Sequence, residues 1–113
     1  MTEIWLLTPY IFYVSIAVMK ATLIFRDKTL LPDGAIVEMV IWQLPAKNSE
    51  RPHGVKYRLY YGRARLRIVG YDNERGKGDH RHIRGHETEY HFVSVEQLVA
   101  DFLADVDRER RIK

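Results

Sequence analysis

The sequence of 113 residues contains no cysteine. This absence excludes disulfides, thiolate nucleophiles and zinc sites built on thiolates. Internal repeats and low-complexity segments are also lacking, and the length suits one domain with a single core. Hydrophobic residues make up 46% and charged residues 29%, which is typical of an ordinary globular domain. The absence of cysteine fits a reducing cytosol.

Charge is missing from the run between Ile4 and Met19. The run is shorter than the roughly 20 residues of a membrane span, Pro9 interrupts it, and no basic residue precedes it as in a signal peptide. We therefore expect translation to start at Met19, residues 1–18 to be an extension, residues 19–113 to form one domain, and no membrane to be bound. A membrane anchor, or an added strand or helix on the core, is the alternative.

Alternation of apolar and polar residues predicts an antiparallel sheet. In residues 55–61 the odd-numbered positions would face the core, with Lys56, Arg58 and Tyr60 on the opposite face. Residues 63–69 would continue this pattern after a turn at Gly62, with Ala64, Leu66 and Ile68 facing the core. The other predicted strands are residues 20–25, 35–44 and 90–93, of which 35–44 would be buried on most of both faces.

A C-terminal helix is indicated by Ser94 and Gln97, which have the spacing of a capping box. Apolar residues from Val95 to Val106 follow at helical spacing, and Asp105 lies off that stripe. The resulting fold class is α+β: an antiparallel meander of about five strands with one C-terminal helix packed on a face.

Basic residues are concentrated between residues 47 and 71, where seven lysines and arginines face a single acid, Glu50. Such a block predicts a nucleic-acid-binding sheet face, and a solvated strand face is the alternative. The candidate RNA-binding residues are Lys56, Arg58, Tyr60, Arg63, Arg65 and Arg67, with Arg75 and Arg84 from the segment that follows.

Three of the five histidines lie between residues 70 and 88, in a stretch that we predict to be a polar loop. Histidine suits both proton transfers of RNA cleavage because its pKa lies near neutrality, so His80 and His82 are the candidate acid and base. Lys77 and Arg81 would stabilise the phosphate, and Asp79 would orient an imidazole.

The same loop admits two other interpretations. His80 and His82 could share a metal ion with His86 or Asp79, or the loop could simply be solvated. Its remaining polar and glycine residues would form turns, contact a base edge or let backbone N–H groups approach a phosphate. These residues are Tyr71, Asp72, Asn73, Gly76 and Gly78.

From about Met19 to Asp107 the sequence resembles the TumE family of toxins from toxin–antitoxin pairs. The resemblance is carried by MKATLIFRDK, LPDGAIVEMVIW, YRLYYG, GYDNERGKGDHRH and the closing helix. It implies a cytoplasmic toxin that acts on RNA and is neutralised by a cognate antitoxin. The motif residues implied as site candidates are Tyr71, Asp72, Asn73, Gly76, Lys77, Gly78, Asp79, His80 and His82.

Three hypotheses follow for the function. The first is an endoribonuclease that uses the loop histidines and needs neither a metal nor a cofactor. The second is an RNA-binding module without catalysis, and the third is a nuclease with a histidine-bound metal. The exposed helix face and the charged C-terminal tail are the candidate contacts for the antitoxin.

Overall fold

The computed structural model describes residues 21–73 and 78–112, which form one antiparallel sheet and one helix. Each strand pairs with the next along the chain, so the sheet is a meander. This confirms the predicted α+β class, and the extension of residues 1–18 lies outside the described residues. The elements are β1 (Thr22–Leu30), β2 (Ile36–Gln43), β3 (Val55–Arg63), β4 (Leu66–Asp72), β5 (His80–Ile83), β6 (His86–Glu89) and α1 (Val95–Arg110).

The histidine segment differs from the predicted loop because part of it is a hairpin. β5 and β6 pair through Arg84 and Gly85, whose φ angles of 47° and 87° fit the tight turn between them. The strand predicted over residues 90–93 is absent there. Both short strands carry mostly polar side chains, so hydrophobic alternation could not reveal them.

The β3–β4 hairpin turns at Ala64 and Arg65, not at Gly62. Both turn residues have positive φ, 53° and 66°, and a bulge in β4 follows opposite Tyr61 and Gly62. A bulge adds one residue to a strand and reverses its alternation. The core prediction for β4 is therefore wrong in part: Leu66 is 65% exposed, whereas Val69 is fully buried.

The core lies between one face of the sheet and α1. Leu98, Phe102 and Val106 of the helix are buried against this face, and the Phe102 ring meets the edge of Tyr71 with centroids 5.7 Å apart. β2 contributes through alternate residues only, since Ile36, Val40 and Trp42 on its other face are half-buried. The expectation that β2 is buried on most of both faces is thus wrong.

Helix α1 begins as predicted, because Ser94 Oγ accepts a 3.0 Å hydrogen bond from Gln97 N. The Gln97 side chain, however, donates to Asp101 within the helix instead of closing a capping box. The helix continues to Arg110, into the charged C-terminal tail. Asp105, predicted to lie off the buried stripe, is only 3% exposed.

Candidate functional site: the open face of the sheet

The sheet face opposite α1, which no described element covers, brings together the histidines and the basic strand. Because paired residues of adjacent strands point to the same side, two rows cross β3, β4 and β5. One row contains Arg58, Asp72 and His80, and the other contains Tyr60, Gly70 and His82. We call this surface the open face; its polar residues in β3 to β5 are Lys56, Arg58, Tyr60, Arg67, Asp72, His80 and His82.

His80 and His82 lie side by side on the open face, with ring centroids 6.3 Å apart and planes at 85°. Burial lowers the pKa of His82, and the positive charge of Arg67 lowers it further, against weaker opposing effects of Glu87 and Asp72. His82 is therefore neutral over a wider pH range than an ordinary histidine and can accept a proton.

His80 is more enclosed than His82, with only 8% of its surface exposed. Its Nε2 atom lies 3.4 Å from Glu87 Oε2, but the geometry is not that of a hydrogen bond, and no other described residue bonds to this buried nitrogen. A buried polar atom without a partner is uncommon in a folded protein, which makes His80 a candidate for a contact with a bound molecule or water.

Two glycines let long side chains lie flat on the open face. A Cβ atom at Gly70 would come within 2.6 Å of Arg67 Cδ, and one at Gly62 would collide with the Tyr60 side chain. Glycine costs stability inside a strand, and a close approach of this kind explains its use. The consequence is that Tyr60 and Arg67 form the floor of a concave surface.

That floor borders a pocket of about 370 Å³ whose side-chain walls are Arg58, Tyr60, Arg67 and Asp72. The Arg58 guanidinium lies 5.8 Å from the centre of the Tyr60 ring, within the range of a cation–π contact. Arg58 also lies 3.8 Å from Glu38 and remains 58% exposed. Two cations and an aromatic ring in one pocket suit a phosphate and a nucleobase.

Trp42 extends the open face beyond the residues predicted from sequence. It is paired with Lys56 across β2 and β3, borders a second pocket of about 220 Å³ beside Arg58, and has the Arg26 guanidinium 5.9 Å from its ring. Trp42 was not predicted as a site residue because β2 was expected to be buried on most of both faces. Strict alternation from the buried Ile41 would have placed Trp42 on this surface.

Several predicted site residues lie away from the open face. Arg81 pairs with Tyr71 in the sheet and lies 3.6 Å from Asp105 of α1. Arg84 Nε donates to Glu109 Oε1 at 2.5 Å. Arg63 pairs with Asp33, Arg65 occupies the β3–β4 turn, and His86 lies opposite Ile83 on the helix side of the hairpin; Arg75, Gly76 and Lys77 lie outside the described residues.

Asp79 does orient an imidazole, but that of His53 and not of His80 or His82. Its carboxylate lies 2.9 Å from His53 Nε2 and accepts a 2.6 Å hydrogen bond from Tyr57 Oη. His53 Nδ1 accepts from Val55 N, and its ring stacks on Phe92 with centroids 4.0 Å apart. Sequence reasoning missed His53 because it lies in a distant loop with no local motif.

Two further motif residues are buried beneath the open face. Asn73 is 1% exposed, its Oδ1 accepts from Tyr57 N, and its Nδ2 donates to Val55 O. Tyr71 is fully buried and donates through its hydroxyl to Asp105. Gly78 adopts a φ of 74° just before β5, a conformation that favours glycine. These residues position the hairpin, and of the YDN triplet only Asp72 reaches the open face.

Within residues 21–73 and 78–112, no group of three or more histidine, aspartate or glutamate side chains is arranged to hold a metal ion. The helix in this part of the chain is neither long nor apolar enough to cross a membrane.

Comparison with known proteins gave one family. A family model described as Toxin TumE matches residues 9–110, which is nearly the whole chain and begins before Met19. No curated protein and no solved structure gave a match.

Proposed function

The chain belongs to the TumE family of toxins, and from this premise we propose that it is an endoribonuclease that cleaves RNA on the open face without a metal ion. Membership of the family implies a toxin of a toxin–antitoxin system, with a cognate antitoxin as its protein partner. The RNA substrate, the catalytic use of histidine and a cytoplasmic site of action belong to the proposal.

The observation that carries the proposal is the pair His80 and His82 on β5, on the same face as the basic residues of β3 and separated from them by β4. Their ring centres are 6.3 Å apart, so one phosphodiester can be contacted from two sides. The cations Arg58 and Arg67 lie in the same concave surface and would neutralise the phosphate charge, which increases in the transition state.

In the proposed reaction neutral His82 accepts the proton of a ribose 2′-hydroxyl. The 2′-oxygen then attacks the phosphorus, and the bond from phosphorus to the 5′-oxygen breaks. His80 donates a proton to that leaving oxygen, so the products are a 2′,3′-cyclic phosphate and a 5′-hydroxyl. The lowered pKa of His82 supports its assignment as the base, because a base must be unprotonated when the substrate binds.

Arg67 takes the place that the sequence suggested for Arg81. Arg81 lies on the helix side of β5, within 3.6 Å of Asp105, where it can hold the strand but cannot reach a phosphate on the open face. The Glu87 carboxylate beside His80 Nε2 must turn away before His80 can act as the acid. Glu87 is 44% exposed at its side chain and is free to make this movement.

The test is cleavage of an end-labelled RNA of mixed sequence by the full-length protein, with and without EDTA. We expect fragments that end in 2′,3′-cyclic phosphate in both samples. His80→Ala and His82→Ala should each reduce the rate at least about 100-fold, the usual contribution of one acid or base. His86→Ala is the matched control, because it removes the same side chain from the other side of the same hairpin, and it should leave the rate unchanged.

Each alternative has its own signature in this assay. Loss of cleavage with EDTA would indicate a metal-dependent nuclease. Intact RNA in both samples, together with binding that weakens in Arg58→Gln and Arg67→Gln, would indicate an RNA-binding module without catalysis. Full activity in a His80→Ala, His82→Ala double variant would exclude the proposed chemistry.

A further inference from the structure

We propose that the pocket bordered by Tyr60, Arg67 and Asp72 is a guanine-binding subsite, in which Asp72 determines the base next to the cut. The inference rests on the proposed function in one respect, that the ligand of the open face is RNA. It adds the base that is recognised and the residue that recognises it.

Asp72 is an unexpected side chain in a pocket for a polyanion. It is half-buried between the cations Arg58 and Arg67, yet no residue within 21–73 or 78–112 forms an ion pair or a side-chain hydrogen bond with its carboxylate. A carboxylate would repel a phosphate placed directly against it. It is suited instead to accept hydrogen bonds from a neutral group with donors.

Guanine is the base whose donors match a carboxylate best. Its N1–H and N2–H₂ groups lie side by side on the Watson–Crick edge and can reach both oxygens of one carboxylate, as a guanidinium does in a bidentate pair. Adenine, cytosine and uracil each present a single donor group on that edge. Asp72 would therefore form two hydrogen bonds with guanine and fewer with any other base.

The rest of the pocket suits the ring of a nucleobase. Tyr60 lies flat because Gly62 leaves room for it, and the Arg58 guanidinium lies 5.8 Å from its ring centre. A base placed there stacks on the aromatic ring and the guanidinium plane, the usual way in which single-stranded RNA is held.

The pairing of the strands places this subsite directly beside the histidines. Asp72 is the cross-strand partner of His80, and Gly70, next to Tyr60, is the partner of His82. A guanine held between Tyr60 and Asp72 thus brings its own ribose and phosphate to the two imidazoles. The expected substrate is single-stranded RNA cut next to a guanosine.

Binding can be measured separately from cleavage. The probes are fluorescein-labelled tetranucleotides with a central G, inosine, A, C or U, in which 2′-deoxy sugars prevent cleavage. With the full-length protein we expect the G probe to bind about 10-fold or more tightly than A, C or U, because a hydrogen bond to a charged group is lost with each. Inosine, which lacks the N2 amino group, should lie between them.

Asp72→Asn should remove the preference for G and bring the probes to within about 3-fold of one another, because the amide replaces one of the two acceptor oxygens with an NH₂ donor, which cannot pair with a second N–H group of guanine. Asp107→Asn, on the exposed side of α1, is the control and should keep the preference. Equal affinity for all bases in the wild-type protein, a preference that survives in Asp72→Asn, or no binding of any probe would each overturn the subsite.

The subsite and the proposed function fail in different ways. A protein that prefers the G probe but cuts no RNA would retain the subsite and lose the ribonuclease. A protein that cuts RNA equally at all four bases would retain the ribonuclease and lose the subsite.

Discussion

At the scale of single residues, burial and the positive charge of Arg67 together widen the pH range in which His82 is neutral and can act as a base. Burial lowers the pKa of His82 first, and Arg67 lowers it further. Arg67→Gln removes that positive charge, so the pKa of His82 should rise. Titration of the imidazole C–H signals by NMR measures it directly. Arg108→Gln, on the far side of the sheet, should leave the value unchanged; an unchanged value in Arg67→Gln as well would show that the two side chains do not interact.

Because two phenols are buried, the free energy of unfolding should vary with pH in the alkaline range. Burial, followed by hydrogen bonding to Asp79 and Asp105 respectively, raises the pKa of Tyr57 and Tyr71 well above the usual value. Both groups keep their protons in the folded chain, whereas in the unfolded chain they ionise near pH 10. Their stabilising contribution is therefore complete below pH 10 and decreases as the pH rises further.

The expected decrease is about 1.4 kcal/mol per pH unit for each phenol. Urea unfolding at pH 9, 10 and 11 measures it. Tyr71→Phe should be less sensitive to pH than the wild type above pH 10, although it loses a hydrogen bond. A free energy of unfolding that stays constant from pH 9 to pH 11 would contradict the burial of these groups.

At the scale of elements, the end of β4 is fastened to β3 by a side chain. Asn73 forms two hydrogen bonds with the backbone of Val55 and Tyr57, and its carbonyl accepts one from Arg51 Nε. Asn73→Ala leaves buried backbone groups without partners and should lower the free energy of unfolding by about 2–4 kcal/mol. The neighbouring Asp72→Ala, on the open face, should change it by less than about 0.5 kcal/mol. Similar losses of unfolding free energy in both variants would contradict the conclusion that Asn73, and not Asp72, stabilises the end of β4.

Sequence patterns predicted some of these elements and missed others. Alternation predicted β3, because Val55, Tyr57 and Leu59 face a continuous core, and helical spacing with Ser94 predicted α1. The β3–β4 turn left no composition signal, since Ala64 and Arg65 adopt positive φ without glycine, and no residue type marks the bulge that follows in β4. The histidine hairpin was missed because its side chains are polar on both faces.

The positions of the candidate site residues could also be predicted from the sequence only in part. Placing His80 and His82 together required only that alternate residues of an extended segment share a face. The opposite placement of Arg81, and the pairing of Asp79 with His53, depend on contacts between residues far apart in sequence. Only the folded chain brings such partners together.

At the scale of the whole molecule, the arginines on the two faces of the sheet have different surroundings. Arg58 and Arg67 border an open pocket, whereas Arg84 is paired with Glu109 of α1. Arg58→Gln should weaken RNA binding and reduce the slope of log affinity against log salt concentration by about one. Arg84→Gln should leave that slope unchanged, although it removes the ion pair with Glu109. Fluorescence anisotropy at four salt concentrations provides the comparison, and equal slopes for all three proteins would place the RNA elsewhere.

The ion pairs that join the β5–β6 hairpin to α1 can form only after the helix has been synthesised. The ribosome synthesises the histidine hairpin before residues 105 and 109, so Arg81 and Arg84 gain their partners only after the helix has emerged. Until residues 105 and 109 have been added, the nascent chain carries its histidines on a hairpin that lacks these two ion pairs.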